Sequence, residues 1–144
     1  MIRRLNHVGI SVVSLERSLD FYRDLLGMEV VVQTEFSGEK YSAILGLPGA
    51  KGRVALVKAT DIQLELFEFH RPSPGHSDPK RPVSDHGITH FCIEVHDIDG
   101  VYERLKSAGT SFHCAPLNFP GVAKATYARD PDGNVIELME KADP

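Results

Sequence analysis

One short stretch of sequence occurs twice in this chain of 144 residues, and the repeat constrains the fold more than any other feature. Residues 5–12 (LNHVGISV) resemble residues 88–95 (ITHFCIEV), and residues 65–68 (ELFE) resemble residues 137–140 (ELME). Each half therefore begins with a histidine in a predicted strand and ends with a glutamate in another. The repeat predicts two copies of one structural module.

The hydrophobic patterning predicts the same order of elements in both halves. In the first half, alternating apolar residues over 5–13 predict a strand, and Ser14 can cap a helix that ends at Gly27. In the second half, either Asp97 or Asp99 can cap the corresponding helix. The other predicted strands are residues 28–36, 53–59, 62–69, 89–95, 111–114, 124–129 and 135–140, while residues 41–47 suit either a strand or a helical turn ended by Pro48-Gly49. Each half is therefore predicted to be β-α-β-β-β.

The domain organisation follows from this repeat and from a segment poor in apolar residues between its copies. We expect one domain over residues 1–144, with a first module at 1–70, a linker at 71–86 and a second module at 87–144. The linker contains four prolines among charged and small residues, which suits a tether between modules or a flap over a cavity. The predicted fold class is α+β: two tandem βαβββ modules form a cupped, barrel-like mixed sheet with the helices outside.

The composition excludes several classes of protein. Twenty acidic residues against sixteen basic ones give a net charge of -4, which argues against a nucleic-acid partner. The chain shows no apolar run long enough to span a membrane and no signal peptide, so we expect a cytoplasmic protein without a membrane partner. Cys92 and Cys114 lie in apolar surroundings without the spacing of a disulfide framework, and reduced, buried thiols are expected.

Strand alternation indicates which polar side chains can meet. Within residues 62–69, Glu65 alternates with leucines that suit packing under a helix, so its carboxylate is expected on the concave face of the sheet. The same alternation places three other polar side chains on that face: His7, His90 and Glu137. If the two sheets lie edge to edge, all four converge. Imidazole nitrogen with carboxylate oxygen suits one divalent ion such as Zn, Ni, Co, Mn or Fe(II).

Each of these four residues, taken singly, has an ordinary explanation. A histidine in an apolar strand is commonly a hydrogen-bonded core residue, and a glutamate near a strand end is commonly solvated. Two inward-facing acids at matching positions of the repeat are harder to explain in this way, because burying an unpaired carboxylate costs several kcal/mol. The recurrence favours a metal site.

Five segments resemble the vicinal oxygen chelate superfamily, which includes glyoxalase I, methylmalonyl-CoA epimerase, extradiol dioxygenases, fosfomycin-resistance enzymes and bleomycin-binding proteins. They are residues 6–10 (NHVGI), 18–27 (SLDFYRDLLG), 64–68 (LELFE), 89–95 (THFCIEV) and 130–138 (DPDGNVIEL). The resemblance covers nearly the whole chain. The complete set of two histidines and two glutamates is most similar to the glyoxalase I and epimerase branch.

The resemblance implies both a ligand set and a reaction. It implies that His7, Glu65, His90 and Glu137 bind one divalent metal ion, and that Glu137, with Glu65 opposite, forms the catalytic acid/base pair. The implied activity is that of a lyase, isomerase or epimerase, acting on an enolisable carbonyl of a small-molecule substrate through a metal-stabilised enediolate. Similar proteins pair modules across two chains, so a homodimer is expected, with the site within one chain or between subunits.

The resemblance also marks where this chain departs from its relatives. Bacterial glyoxalase I has an arginine four residues after the first histidine and an asparagine four after the first glutamate, which hold glutathione. Those positions here are Ser11 and Phe69, and no basic cluster for a CoA phosphate is evident. Phe67, Phe69 and Met139 are expected to line an apolar wall or to be core residues.

Two other functions stay open at this point. The first is an Fe(II) extradiol-type dioxygenase that uses His7 or His90 with Glu137, which oxygen uptake with catechols would identify. The second is a non-catalytic protein that binds a small, drug-like molecule. A binder of that kind needs no metal ligands, so Glu65 and Glu137 discriminate between it and an enzyme.

Overall fold

The computed structural model describes residues 1–142. The chain divides into two compact units, Met1–Ser77 and Asp78–Pro144, and the boundary lies within residues 71–86. Each unit contains one mixed sheet with a helix packed against one face. The predicted α+β fold with two βαβββ modules is therefore confirmed, with one additional helix in the first module and one additional strand in the second.

The first unit contains a four-stranded sheet. Its elements are β1 (Val8–Ser11), α1 (Leu15–Leu19), which continues as a π-helical segment (Asp20–Leu25), β2 (Glu29–Phe36), α2 (Glu39–Leu45), β3 (Lys51–Ala59) and β4 (Ile62–Arg71). The strand order is β1-β4-β3-β2, in which β1 runs parallel to β4 and the other pairs are antiparallel. This order places the first and last strands of the module next to each other.

Helix α1 packs over one face of this sheet because its apolar side chains recur at helical spacing. The Ser14 hydroxyl accepts a hydrogen bond from the Arg17 N–H and caps the helix, and Gly27, at φ 76°, ends it, as predicted. Leu15, Leu19 and Tyr22 of the helix are buried. They share the core with four buried sheet residues, Ala55, Val57, Leu64 and Leu66.

The second unit repeats the arrangement in a five-stranded sheet. Its elements are β5 (Phe91–Glu94), α3 (Ile98–Ser107), β6 (Ser111–Phe112), β7 (Leu117–Phe119), β8 (Ala123–Arg129) and β9 (Val135–Lys141). The order is β5-β9-β8-β6, with β7 also paired to β8, and β5 runs parallel to β9. Of the two predicted caps of α3, Asp97 is the one observed, since its carboxylate accepts from the Gly100 N–H.

Several boundaries differ from the sequence-based expectation. Residues 41–47 suit either a strand or a helix by sequence, and residues 41–45 of this segment belong to α2, which ends at the left-handed Gly46 before Pro48-Gly49 is reached. The segment between Pro116 and Pro120 is not among the predicted strands, but it forms β7 because its backbone pairs with β8. The strands β1 and β5 are shorter than predicted, so that each repeated histidine lies one residue before its strand.

Two further expectations concern cysteines and membrane segments. Cys92 and Cys114 are free, as expected, but both are exposed, so the prediction of buried thiols was wrong. Cys92 lies beside Glu137 in the β5–β9 pairing. Among residues 1–142, no helix has the length and hydropathy that crossing a bilayer requires.

Candidate functional site

The first unit brings His7 and Glu65 together. The His7 Nε2 atom lies 3.1 Å from the Glu65 Oε2 atom, and the two side chains are 41% and 32% exposed. The parallel pairing of β1 with β4 puts Gly9 directly beside Glu65, so no side chain of β1 stands next to the carboxylate. The imidazole, two residues earlier, reaches it instead. This pairing agrees with the shared face predicted from strand alternation.

The orientation of the His7 ring is fixed by its neighbour Asn6. The ring Nδ1 lies 2.8 Å from the Asn6 Oδ1, and the Gln63 amide donates to the Asn6 carbonyl at 3.4 Å. An amide oxygen can only accept, so the Nδ1–H donates to Asn6, and Nε2 is the ring nitrogen that faces Glu65. This is the arrangement of metal-binding histidines, which donate the other ring N–H to a fixed acceptor.

The second unit repeats the pair with His90 and Glu137. The His90 Nε2 lies 3.0 Å from the Glu137 Oε2, and this pair is more buried, at 26% and 22% side-chain exposure. The His90 Nδ1 contacts the Thr89 hydroxyl at 2.8 Å. Tyr127, directly across from Glu137 in the β8–β9 pairing, places its ring 4.7 Å from the imidazole. The second pair is therefore the more enclosed of the two.

The surroundings of the two carboxylates differ. Cys92 pairs with Glu137 where the first unit has Gly9 beside Glu65. Burial and the Glu137 carboxylate raise the pKa of the Cys92 thiol to about 11. Burial first, and Glu137 next, also raise the pKa of Tyr127. Both neighbours of Glu137 therefore stay protonated and uncharged at neutral pH.

The geometry of each pair fits two ligands of one ion. Two donor atoms bound at about 2.0–2.2 Å in tetrahedral or octahedral geometry lie about 2.8–3.6 Å apart. The observed separations of 3.1 Å and 3.0 Å fall within this range, which also includes ordinary hydrogen bonds. Among the described residues, no group of three or more His, Cys, Asp or Glu side chains comes together, so each unit by itself supplies two donors.

A second glutamate in each repeat has a role that the sequence analysis missed. Glu68 accepts a hydrogen bond from the Leu15 N–H at 2.7 Å, at the start of α1, and pairs with Arg53 at 2.7 Å. Burial alone would raise the pKa of Glu68, but the hydrogen bonds from Arg53, from the Leu15 N–H and from His70 together lower it to about 2. The charged carboxylate thus anchors the helix to the sheet.

Glu140 performs the same task in the second unit. Its carboxylate accepts from the backbone N–H groups of Asp97 and Ile98, at 2.7 Å and 3.3 Å, at the start of α3. The signal for this role was present, because a glutamate three residues after Glu65 or Glu137 must lie on the helix side of its strand. The repeated pattern therefore combines a carboxylate on the histidine face with a carboxylate that caps the helix.

The apolar residues predicted on the histidine face are found there. Phe67 and Phe69 are partly exposed and stack with ring centroids 5.8 Å apart, and both contact the buried Phe36 at 5.4 Å. Met139 is also partly exposed, across from Ala125.

The five other histidines, His70, His76, His86, His96 and His113, are all exposed. His70 is exposed and contacts Glu68 at 2.7 Å, and the exposed His113 pairs its backbone N–H with Tyr127. Burial, and Arg129 next, lower the pKa of His113. Neither ring joins a pair of candidate ligands among the described residues.

A family model described as "Glyoxalase/Bleomycin resistance protein/Dioxygenase superfamily" matches residues 4–138. The lactoylglutathione lyase of Schizosaccharomyces pombe is 30% identical over 151 residues, which cover 97% of this chain and 48% of that protein. The lactoylglutathione lyase of Pseudomonas aeruginosa is 26% identical over 153 residues, which cover 94% of this chain and 81% of that protein. The chain therefore spans about half the length of the yeast relative and most of the bacterial one.

Solved structures share the fold. A glyoxalase family protein from Bacillus cereus matches with a TM-score of 0.92 at 23% identity, over 99% of this chain and 97% of that one. A fosfomycin resistance protein from Listeria monocytogenes matches with a TM-score of 0.68 at 15% identity, over 99% and 96%. At these identities the likeness extends to the fold alone.

Proposed function

We propose that this chain, which belongs to the glyoxalase/bleomycin resistance protein/dioxygenase superfamily, is a divalent-metal-dependent lyase, isomerase or epimerase. Its substrate would be a small molecule with an enolisable carbonyl. The observation that supports this proposal is the duplicated pair, in which a histidine Nε2 lies 3.0–3.1 Å from a glutamate oxygen in both units. The names of the curated relatives, which are lactoylglutathione lyases, point to the same class of chemistry.

The proposed ligands of one ion are His7, Glu65, His90 and Glu137. Each imidazole has its Nδ1 engaged by a neighbouring side chain, which leaves Nε2 for an ion such as Zn, Ni, Co, Mn or Fe(II). The bound ion would supply Lewis-acid polarisation of the substrate carbonyl. The two pairs come together from one chain or, in a homodimer, from two copies.

The proton transfer is assigned to the two carboxylates. Glu137 is the proposed base that takes the proton from the carbon beside the carbonyl and, once protonated, gives it back to the product, and Glu65 is the carboxylate proposed to do the same from the opposite side. Both side chains are between a fifth and a third exposed, so a small molecule can reach them.

Elemental analysis of protein purified without chelator tests the ligand set. We expect about one divalent ion per chain, and its loss in Glu65→Ala and in Glu137→Ala. Glu94→Ala is the matched control, because Glu94 lies in β5 but pairs with Lys141 at 2.9 Å and is exposed. Stoichiometric metal in both site variants would refute the ligand set, as would an equal loss in the control.

A mixing experiment asks which copies supply the ligands. One variant carries His7→Ala with Glu65→Ala, and the other carries His90→Ala with Glu137→Ala. If each ion is bound by the first unit of one copy and the second unit of another, refolding equal amounts of the two variants together restores about a quarter of the wild-type metal, because about half of the dimers are mixed and each mixed dimer has one intact site of two. If both pairs belong to one chain, the mixture binds none.

A solvent-exchange measurement tests the chemistry. The proposed reaction predicts metal-dependent exchange of deuterium from D2O into the carbon beside the carbonyl of a turned-over substrate, abolished by Glu137→Gln. Oxygen uptake with catechols in place of exchange would assign the protein to the dioxygenase class instead.

A further inference from the structure

We propose that the face of the first unit beside Glu65 binds an aromatic substituent of the substrate. On this assignment, which rests on the proposed function, the protein acts on an aryl-bearing carbonyl compound. We call this surface the aromatic face and define it by Phe36, Phe67, Phe69, Val54 and Leu56.

The aromatic face is continuous with the candidate metal ligand Glu65. Phe67 and Phe69 follow Glu65 at two-residue intervals in β4, so all three side chains project from the same side of the strand. At about 3.3 Å per residue, Phe67 lies about 7 Å and Phe69 about 13 Å along the strand from the carboxylate. A carbonyl held at Glu65 with a ring attached therefore has its ring within reach of Phe67.

The aromatic rings are held in place by a glycine in the neighbouring strand. Gly52 pairs with Phe69 on one side and with Phe36 on the other. A Cβ atom at Gly52 would lie 3.0 Å from the Phe36 ring and 2.0 Å from the Glu68 carbonyl oxygen. Because position 52 has no side chain, Phe36 packs across it at 5.4 Å from Phe69. Phe36 is 1% exposed and forms the floor of the aromatic face.

The upper surface of the aromatic face stays accessible. Phe67 and Phe69 are only partly buried, and so are Val54, which pairs with Phe67, and Leu56, which pairs with Glu65. The exposed ring faces and aliphatic side chains offer a surface on which a planar apolar group can stack or pack edge-on. Such a group would lose contact with water on binding.

A pair of chelators that differ only in the apolar group tests the assignment. Acetohydroxamate and benzohydroxamate present the same metal-binding group with a methyl or a phenyl substituent. On the metal-loaded protein, calorimetric titration is expected to show about tenfold tighter binding of benzohydroxamate, because its ring is removed from water on the aromatic face. In Phe67→Ala the preference should fall below about twofold while acetohydroxamate binds as before.

The controls separate this inference from the proposed function. Phe119→Ala, which removes an exposed ring of the second unit, should leave the phenyl preference intact. Equal affinities of the two hydroxamates for the wild type, or an undiminished preference in Phe67→Ala, would overturn the aromatic-substrate assignment alone. If the purified protein holds no metal and does not bind acetohydroxamate, both the proposed function and this inference are overturned.

Discussion

Replacing Glu68 by glutamine removes the charge that ties α1 to the sheet of the first unit. The carboxylate accepts hydrogen bonds from the Leu15 N–H, from Arg53 and from His70, and its side chain is only 13% exposed. Glutamine has nearly the same shape but cannot satisfy these donors as an anion does. The substitution therefore tests the electrostatic part of the anchor with little change in packing.

The size of the effect follows from the pKa of Glu68. Its pKa is about 2 in the folded protein, against 4.5 for the free side chain, a difference of about 2.5 pH units. At 1.36 kcal/mol per unit, the charged form adds about 3 kcal/mol to the free energy of unfolding near neutral pH. For a chain of this size that corresponds to a fall in Tm of about 6–12 °C in Glu68→Gln.

The pH dependence identifies the mechanism. Since the folded pKa is depressed, the stabilisation is present above the unfolded pKa of about 4.5 and is lost as the pH falls through about 2. Urea unfolding followed by circular dichroism should show a constant difference between wild type and Glu68→Gln from pH 7 to pH 5, which then shrinks toward pH 2. Glu16→Gln is the matched control, because Glu16 binds the same Arg53 at 2.9 Å but is 62% exposed and should lose less stability. A difference that persists unchanged to pH 2.5, or an equal loss in the control, would refute this reasoning.

Three further substitutions probe single contacts. Glu140→Gln should lower the free energy of unfolding by about 1–2 kcal/mol and speed amide hydrogen exchange in the first turn of α3, while metal content stays unchanged. Ser18→Ala should raise the free energy of unfolding by about 1 kcal/mol in thermal denaturation, because this buried hydroxyl has no hydrogen-bond partner among the described residues; a lower Tm contradicts this. Gly133→Ala should lower the free energy of unfolding by about 2 kcal/mol or more, because Gly133 has a φ of 89° and a Cβ there would lie 2.1 Å from the Pro79 carbonyl oxygen. The control Gly121→Ala should lower it by about 1 kcal/mol in the same assay, because Gly121 has a φ of 72° but a Cβ there would meet open space.

The histidine–glutamate pairs could be predicted because strand alternation is a local rule. Once residues 62–69 are assigned to a strand, the leucines on either side of Glu65 fix which way its carboxylate faces. The repeat then transfers the assignment to Glu137, and the structure brings each carboxylate to its histidine. Local patterning cannot indicate how two compact units combine, so the four-ligand site stays a proposal.

Tertiary contacts decided what sequence patterning missed. The strand β7 forms because its backbone pairs with β8, although Pro116 and Pro120 flank it and its three residues are exposed. Helix α2 lies in a segment whose apolar residues suit either periodicity, and the packing of Tyr41 on Phe36 accompanies the helical form. Neither outcome can be derived from propensity, because the deciding partner lies elsewhere in the chain.

The spacing within the repeated Glu-x-x-Glu pattern links the site to the helix. Residues three apart on a strand face opposite sides, so Glu65 meets His7 while Glu68 meets the start of α1. If β4 slipped by one residue against β1, its side chains would exchange faces. Glu65 would then leave the imidazole of His7, and Glu68 would leave the start of α1. The helix anchor therefore also maintains the register that brings the candidate ligand to its histidine. For this reason a two-residue spacing between the glutamates could not serve both positions.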